Sequence, residues 1–101
     1  MIIREWRGRA ETSNPEGYPK HFRDHVAPQL QNLPGFMGAS VSKRSFDGGI
    51  EFLVLTRWES LECIKSFAGA DVAKAIVEPG AVAQLVDFDG AVQHYECVEE
   101  I

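Results

Sequence analysis

One segment, residues 50–58, constrains the fold of this chain more than any other, because it alternates like a β strand and carries apolar bulk on both faces. Its side chains form two alternating sets, Phe52, Val54, Thr56 and Trp58 on one face and Glu51, Leu53, Leu55 and Arg57 on the other. Such a strand needs a packing partner on each side of its sheet. The chain has only 101 residues, which predicts a single domain over residues 1–101.

Turn and helix signals divide the rest of the sequence. Strands are predicted over residues 1–11, 36–46, 50–58 and 91–98. An amphipathic helix is predicted from Tyr18 to Leu33 with a kink at Pro28, and a second helix between the N-cap Ser60 and Gly69. Residues 70–78 and 80–88 are predicted to be short helical pieces. The order β-α-β-β-α-β predicts an α+β ferredoxin-like fold, a four-stranded antiparallel sheet with helices on one face.

This architecture leaves one face of the sheet uncovered. Leu53 and Leu55 then lie on the bare face, opposite Phe52 and Val54. An exposed apolar patch usually marks an interface. We therefore predict a homodimer that closes sheet to sheet into an α+β barrel, with twofold symmetry.

The charge balance narrows the classes of partner. Ten Lys and Arg against 15 Asp and Glu give a net charge of −5, so nucleic acid and anionic membranes are not expected partners. Charged residues interrupt the N-terminal segment, and no apolar run reaches the roughly 18 residues of a membrane span. A cytoplasmic location is the expectation. Cys63 and Cys97 are expected to be buried free thiols.

Four short stretches carry a resemblance to a known family. They are Leu33-Pro34-Gly35-Phe36, Leu55-Thr56-Arg57-Trp58-Glu59-Ser60-Leu61-Glu62, Phe67-Ala68-Gly69 and His94-Tyr95-Glu96. In this order they resemble the antibiotic biosynthesis monooxygenase domain family of the dimeric α+β barrel superfamily. The resemblance implies the fold predicted above. It also implies several chemistries, among them cofactor-independent oxygenation of phenolic and quinol substrates and heme degradation.

The heme-degrading members of this family differ from the present sequence at their ligand positions. They place an Asn on the first strand and a His on the helix after the tryptophan, which correspond here to Trp6 or its neighbourhood and to Val77. Neither side chain can do the same work. The sequence also has no dinucleotide fingerprint, P-loop or Cys-x-x-Cys pair. We therefore expect no cofactor and no metal.

Two histidines are the predicted catalytic groups. His94 on the last strand is the first candidate for the general base, because imidazole exchanges protons near neutral pH; the alternative is a structural, hydrogen-bonded histidine. His25 is the second candidate, since the helical period places it in the stripe of Tyr18 and Phe22 that faces the sheet. His21 falls toward the edge of that stripe.

Three aromatic residues are the predicted substrate-binding groups. By resemblance Trp58 lines the cleft, where an indole stacks on aromatic rings, and Trp6 and Tyr18 have the same expected role. For Trp58 the alternative is a buried core anchor, and the same alternative holds for Trp6 and Tyr18, whose phenol could simply cap the apolar stripe of the helix. The strand arginines are interpreted mainly as charges at the rim of a dimer interface, although an arginine gripping an acidic substrate would look the same. They are Arg4, Arg7, Arg9, Arg44 and Arg57, together with Lys43.

These observations lead to a leading hypothesis with two alternatives. The first is a cofactor-independent monooxygenase that oxidises an aromatic, quinol or polyketide-like substrate with dioxygen. The second is a non-enzymatic ligand-binding or structural dimer on the same fold. The third is an isomerase or lactone-type enzyme, which needs the same base but no oxygen.

Overall fold

Two long antiparallel strands form the centre of the sheet in a computed structural model that describes residues 1–101. Strand β1 (Ile2–Glu11) pairs along its whole length with β3 (Gly49–Trp58), from Ile2 opposite Trp58 to Glu11 opposite Gly49. Strand β2 (Phe36–Phe46) pairs with the other edge of β3. Asp47 and Gly48 connect β2 to β3 with positive φ angles of 43° and 76°, as tight hairpins require.

The outer edge of β1 pairs with two short strands, β4 (Asp87–Phe88) and β5 (Gln93–Glu96). The sheet order β2-β3-β1-β4, with β5 also on β1, is the predicted ferredoxin-like arrangement. The sequence predicted one uninterrupted last strand over residues 91–98. The structure shortens this strand to β5 and adds β4 in a segment that was predicted to be helical. Residues 90–92 bond elsewhere: Val92 N–H donates to the Ala73 carbonyl at 2.8 Å, and Ala75 N–H to the Gly90 carbonyl at 3.0 Å.

The first helical stretch runs through three segments, α1 (Gly17–His21), a π-helical turn (Phe22–Val26) and α2 (Ala27–Gln31). In the π turn the N–H of Ala27 donates to the carbonyl of Phe22, five residues earlier. The irregularity comes immediately before Pro28, which has no N–H to continue an α-helical ladder. Because a π turn advances less per residue than an α turn, the buried positions are Tyr18, Phe22 and Leu30.

The second predicted helix is confirmed as α3 (Leu61–Ala68). The hydroxyl of Ser60 accepts a hydrogen bond from Cys63 N–H at 3.3 Å and caps the helix. Gly69 ends it with a φ of 81°, a conformation that glycine adopts without steric cost.

The predictions of helix over residues 70–78 and 80–88 are largely wrong. Residues 70–78, here called the strap, have no regular helix, and only α4 (Pro79–Val82) is helical beyond them. The strap is held by partners distant in sequence: the guanidinium of Arg4 donates to two of its carbonyls, and residues 73 and 75 bond to residues 90–92. These tertiary bonds replace the local helical ones.

The core lies between the sheet and the helices. Trp58, Phe52, Leu30 and Ile64 are its fully buried large side chains. On the other face, called the open face, Leu53 and Leu55 are half-buried, so the prediction that β3 is apolar on both sides is confirmed. No helix of the chain combines the length and the hydropathy that a membrane span requires.

Candidate functional site

A cavity of about 60 Å³ lies between the sheet and the helical layer. Aromatic side chains of β1, α1, the π turn and α3 line it, namely Trp6, Tyr18, Phe22 and Phe67, and the strap adds Ile76 and Val77. The volume is well below the roughly 300 Å³ at which small-molecule sites usually begin. A ligand of two or more rings therefore requires the wall to move, and the strap is the part of the wall without regular secondary structure.

Besides the phenol of Tyr18, the polar or charged side chains that line this apolar cavity are those of Arg4, His21, Thr56 and Glu78. The Thr56 hydroxyl already accepts a hydrogen bond from the indole N–H of Trp58 at 2.9 Å. The other three side chains are titratable. Ionisable groups gathered in an apolar enclosure are the usual sign of a functional site.

Arg4 enters the cavity from β1 and is 5% exposed. Its Nη1 donates to the carbonyl of Val72 at 2.6 Å, its Nη2 to that of Lys74 at 3.0 Å, and Nη1 also lies 3.0 Å from Nε2 of His94. The guanidinium carbon is 5.7 Å from the centroid of the Phe67 ring. No carboxylate lies within ion-pair distance of it. Burial lowers the pKa of Arg4 to about 10, which still leaves it protonated at neutral pH.

His94 lies on β5 directly opposite Arg4 and outside the cavity wall. Because the guanidinium can only donate, Nε2 of His94 accepts this hydrogen bond with its lone pair. Burial and the positive charge of Arg4 both lower the pKa of His94. In this geometry a neutral His94 holds Arg4 in place, and its predicted role as general base stays a prediction.

His21 and His25 exchange the positions expected of them. The expectation that His25 faces the sheet is wrong: it is exposed, whereas His21 lines the cavity. His25 lies within the π turn, which moves it away from the inward position that an α-helical period would give it. Nε2 of His21 is the one buried side-chain nitrogen or oxygen without a hydrogen-bond partner. A Cβ at Gly80 would come within 2.8 Å of the His21 ring, so the glycine lets α4 pack against it.

Trp6 and Tyr18 line the cavity, and their predicted role as substrate-binding groups stays a prediction. Their rings lie 5.6 Å apart, and the Trp6 indole N–H donates to the Asp89 carbonyl at 2.8 Å. Burial raises the pKa of the Tyr18 phenol well above its ordinary value. The phenol therefore stays protonated and keeps a hydrogen to donate.

Trp58 does not border the cavity. It is fully buried and stacks on Phe67, with ring centroids 6.1 Å apart, and meets Phe36 edge to face at 5.3 Å. The structure thus gives Trp58 the position of a core anchor, the alternative weighed above. Phe67 supplies the aromatic wall at this end of the cavity.

The residues of the cavity do not fit a heme bound as the family resemblance describes. Val77 and Trp6 line the cavity at the positions where that resemblance expects a histidine and an asparagine. Valine has no ligating atom, and the indole nitrogen is a donor already bonded to Asp89. Elsewhere in the chain no three His, Cys, Asp or Glu side chains come together as a metal site.

Sequence reasoning missed Arg4 and His21 as cavity residues. For Arg4 a signal was available, because side chains two apart on a strand share a face and Trp6 was already placed in the cleft. The other β1 arginines lie on the open face, where Arg7 and Arg9 pair with Glu5, Glu51, Asp87 and Asp89. Their position at the rim of a dimer interface stays a prediction. Arg44 of β2 also reaches Glu51, at 3.0 Å.

The sheet order and the apolar cavity define a small ferredoxin-like α+β domain with a narrow internal cavity between the sheet and the helices. The sequence profile of the family described as antibiotic biosynthesis monooxygenase matches residues 1–79, and the chain belongs to this family. The matched region contains Arg4, Trp6, Tyr18 and His21.

Solved structures with the same fold cover nearly the whole chain. A protein from Bacillus cereus named for the antibiotic biosynthesis monooxygenases superposes with a TM-score of 0.62 at 20% identity, over 99% of this chain and 93% of its own. The heme degrader MhuD from Mycobacterium tuberculosis, solved with two hemes in its active site, gives 0.65 at 22% identity, over 100% and 99%. A Deinococcus radiodurans protein named for the same monooxygenases gives 0.60 at 19%, over 100% and 96%.

At these identities the similarity establishes the fold alone. No curated protein matches the chain. The function must therefore be argued from the cavity itself.

Proposed function

We propose that this protein oxidises a planar aromatic or quinol-like substrate with dioxygen in the cavity, using only its own side chains. The observation that carries the proposal is Nε2 of His21, a buried polar atom without a partner in an apolar, aromatic enclosure. Buried polar groups are nearly always hydrogen-bonded, so an orphan needs a specific reason. A substrate proton or hydroxyl at this nitrogen supplies one.

The chemistry requires a base, a hydrogen-bond donor and the exclusion of water. His21 removes a proton from the substrate, and the resulting electron-rich anion passes an electron to dioxygen. The substrate radical and superoxide combine to a peroxide anion, which takes the proton back from protonated His21. The hydroperoxide so formed loses water. For an anthrone-type methylene the balance is R₂CH₂ + O₂ → R₂C=O + H₂O. The phenol of Tyr18 donates to the substrate oxygen, and Trp6 with Phe67 encloses the ring.

Oxygen consumption with a panel of hydroquinones and anthrones, in metal-free buffer, tests this proposal. Histidine variants then assign the base: His21→Gln should lower turnover by roughly 10² to 10⁴ if it acts as general base. Lys20→Gln, an exposed change on the same helix, is the matched control. A comparable loss in His94→Gln but not in His21→Gln would return the role to His94. Turnover no faster than in buffer for the whole panel would contradict the proposal.

The small cavity volume favours a second candidate, a binding protein without chemistry. Such a protein would bind members of the panel saturably and return them unchanged. Incubation of the same panel without oxygen separates the third reading, because an isomerase or lactone-opening enzyme works anaerobically.

We also propose that the functional unit is a homodimer joined through the open face. The support is that Leu53 and Leu55 stay partly exposed on the open face of a single chain, and that the family that the sequence resembles is dimeric. Light scattering at micromolar concentration should give the mass of two chains. A monomer under these conditions would contradict the proposal.

A further inference from the structure

We propose that Arg4 is an anion-binding subsite of the cavity and that the natural ligand is a carboxylic acid with a planar apolar body. The inference rests on the proposed function in placing the substrate in this cavity, and it adds the chemical class of that substrate. It starts from a charge without a counter-charge: Arg4 is 5% exposed and belongs to none of the ion pairs of the chain.

An unpaired buried charge is costly, so proteins usually pair it or give it a function. Glu78 is the one carboxylate-bearing residue of the cavity wall, and it does not provide the pair, since no ion pair joins it to Arg4. The groups that Arg4 does contact are neutral: two carbonyls of the strap and the imidazole of His94. They hold the guanidinium in position and leave its charge uncompensated.

The hydrogen-bond inventory leaves donors for a ligand. A guanidinium has five N–H donors, and three are used, two on Nη1 and one on Nη2. Five minus three leaves two, one on Nε and one on Nη2. These two atoms form one edge of the planar group, and such an edge binds a carboxylate through two parallel hydrogen bonds.

The rest of the cavity selects the body of the ligand and the charge it carries. Eleven of the 15 lining residues are hydrophobic, which suits an aromatic or fused-ring acid. Arg4 supplies one positive charge, and the wall holds no lysine and no second arginine. A monoanionic carboxylate is balanced by one guanidinium, whereas a phosphate dianion would need a second cation.

Equilibrium binding of matched acid and amide pairs under argon tests the inference. The pairs are benzoate with benzamide and 2-naphthoate with 2-naphthamide, followed by calorimetry or by the fluorescence of Trp6 and Trp58. The acid should bind about 10- to 100-fold more tightly than its amide, the range expected for charged hydrogen bonds. Arg4→Gln should remove this preference, so that the acid and its amide bind the variant with affinities within about threefold of each other. Arg23→Gln, which removes an exposed positive charge outside the cavity, should retain it.

The outcomes separate this inference from the proposed oxygenation. Equal affinities of acid and amide for the unaltered protein, or a preference that survives Arg4→Gln, would overturn it. The first comparison needs no variant and so does not depend on whether Arg4→Gln folds. If the acids bind selectively but no panel member consumes oxygen, the oxygenation fails and the anion subsite stands. If neutral substrates are turned over and acids bind no more tightly than their amides, the oxygenation stands and the anion subsite fails.

Discussion

Two arginines of β1, one on each face of the sheet, lie in opposite electrostatic environments. Arg4 on the cavity face is buried among carbonyls and an imidazole, and burial lowers its pKa to about 10. Arg9 on the open face bonds Asp89 and Asp87, and these hydrogen bonds raise its pKa above the ordinary value. Five positions apart on β1, the same side chain is left uncompensated on one face and neutralised on the other. The contrast separates a charge held for a ligand from charges that belong to the protein's own structure.

A parallel contrast holds for the apolar residues. On the cavity face the side chains of β3 are sealed against helices, with Phe52 and Trp58 fully buried. On the open face Leu53 and Leu55 remain half-buried between charged neighbours. We infer that the cavity face supplies most of the stability of a single chain and that the open face contributes mainly when a second chain covers it.

The largest expected difference between the two faces is in the loss of unfolding free energy when one large side chain on each face is truncated to alanine. Trp58→Ala should lower the free energy of unfolding by about 3–5 kcal/mol, because it leaves a void in a sealed core. Leu55→Ala should cost only about 1 kcal/mol in a monomer, because its side chain is already partly hydrated. Urea denaturation of both variants measures the two values.

The same pair of variants tests the role of the open face. If the homodimer forms, the cost of Leu55→Ala should rise with protein concentration, since folding and association are then linked. Trp58→Ala should keep a large cost even at low concentration. Equal losses of unfolding free energy for the two variants at low protein concentration would contradict the inference that the cavity face supplies most of the stability of a single chain.

A smaller loss of stability is expected when the charge of Glu51, the carboxylate at the centre of the open face, is removed. Glu51 is 8% exposed and lies 3.0 Å from Arg44, 3.5 Å from Arg9 and 4.0 Å from Arg7. Removing its charge leaves three arginines facing one another. Because the arginine side chains are partly exposed, we expect Glu51→Gln to cost about 1–2 kcal/mol rather than the larger value of a fully buried pair.

Glu5→Gln is the matched control, since Glu5 contacts only Arg7 and should cost less than about 1 kcal/mol. Thermal or urea unfolding of both variants in low salt and in about 0.5 M NaCl measures the difference, which salt should reduce. A Glu51→Gln variant as stable as the unaltered protein would mean that the open-face network is only a surface arrangement.

Most of the fold could be predicted from the sequence because its signals are local. The alternation of residues 50–58, the Asp47-Gly48 turn and the Ser60 cap each depend on neighbouring residues, and each is present in the structure. The strap was mispredicted because its partners are distant: Val72 and Lys74 bond to Arg4, 68 and 70 residues away. An intrinsic helical preference is easily overcome by such contacts.

The candidate site was predicted less well, and for two physical reasons. A π turn cannot be read from a period of 3.6 residues, so His25 was placed inward where the structure has His21. Arg4, Arg7 and Arg9 are the same residue type on one strand. Only the alternation of side chains along β1 places Arg4 on the cavity face and the other two on the open face. Trp6 and Tyr18 do lie at the cavity, whereas Trp58, another large aromatic residue on the inward face, does not, because it is sealed between Phe36 and Phe67.

The smallest expected effect concerns the support of Arg4 by His94. The pKa of His94 is lowered from 6.5 by burial and by the charge of Arg4, so the unfolded chain takes up a proton at higher pH than the folded one. In that window, from pH 6.5 downward to the lowered value, protonation favours the unfolded state. The stability of the unaltered protein should therefore fall as the pH is lowered through this range.

His94→Gln isolates this contribution, because a glutamine oxygen can still accept from Nη1 of Arg4 but never becomes charged. Urea midpoints measured between about pH 5 and 7.5 should fall more steeply for the unaltered protein than for His94→Gln, while His25→Gln, an exposed replacement, should follow the unaltered protein. Parallel curves for all three would mean that His94 does not sense Arg4. A steeper fall that disappears in His94→Gln would mean that a neutral imidazole holds the guanidinium of Arg4. The positive charge of Arg4 then remains available to an acidic ligand, whereas the charge of Arg9 is already neutralised by Asp87 and Asp89.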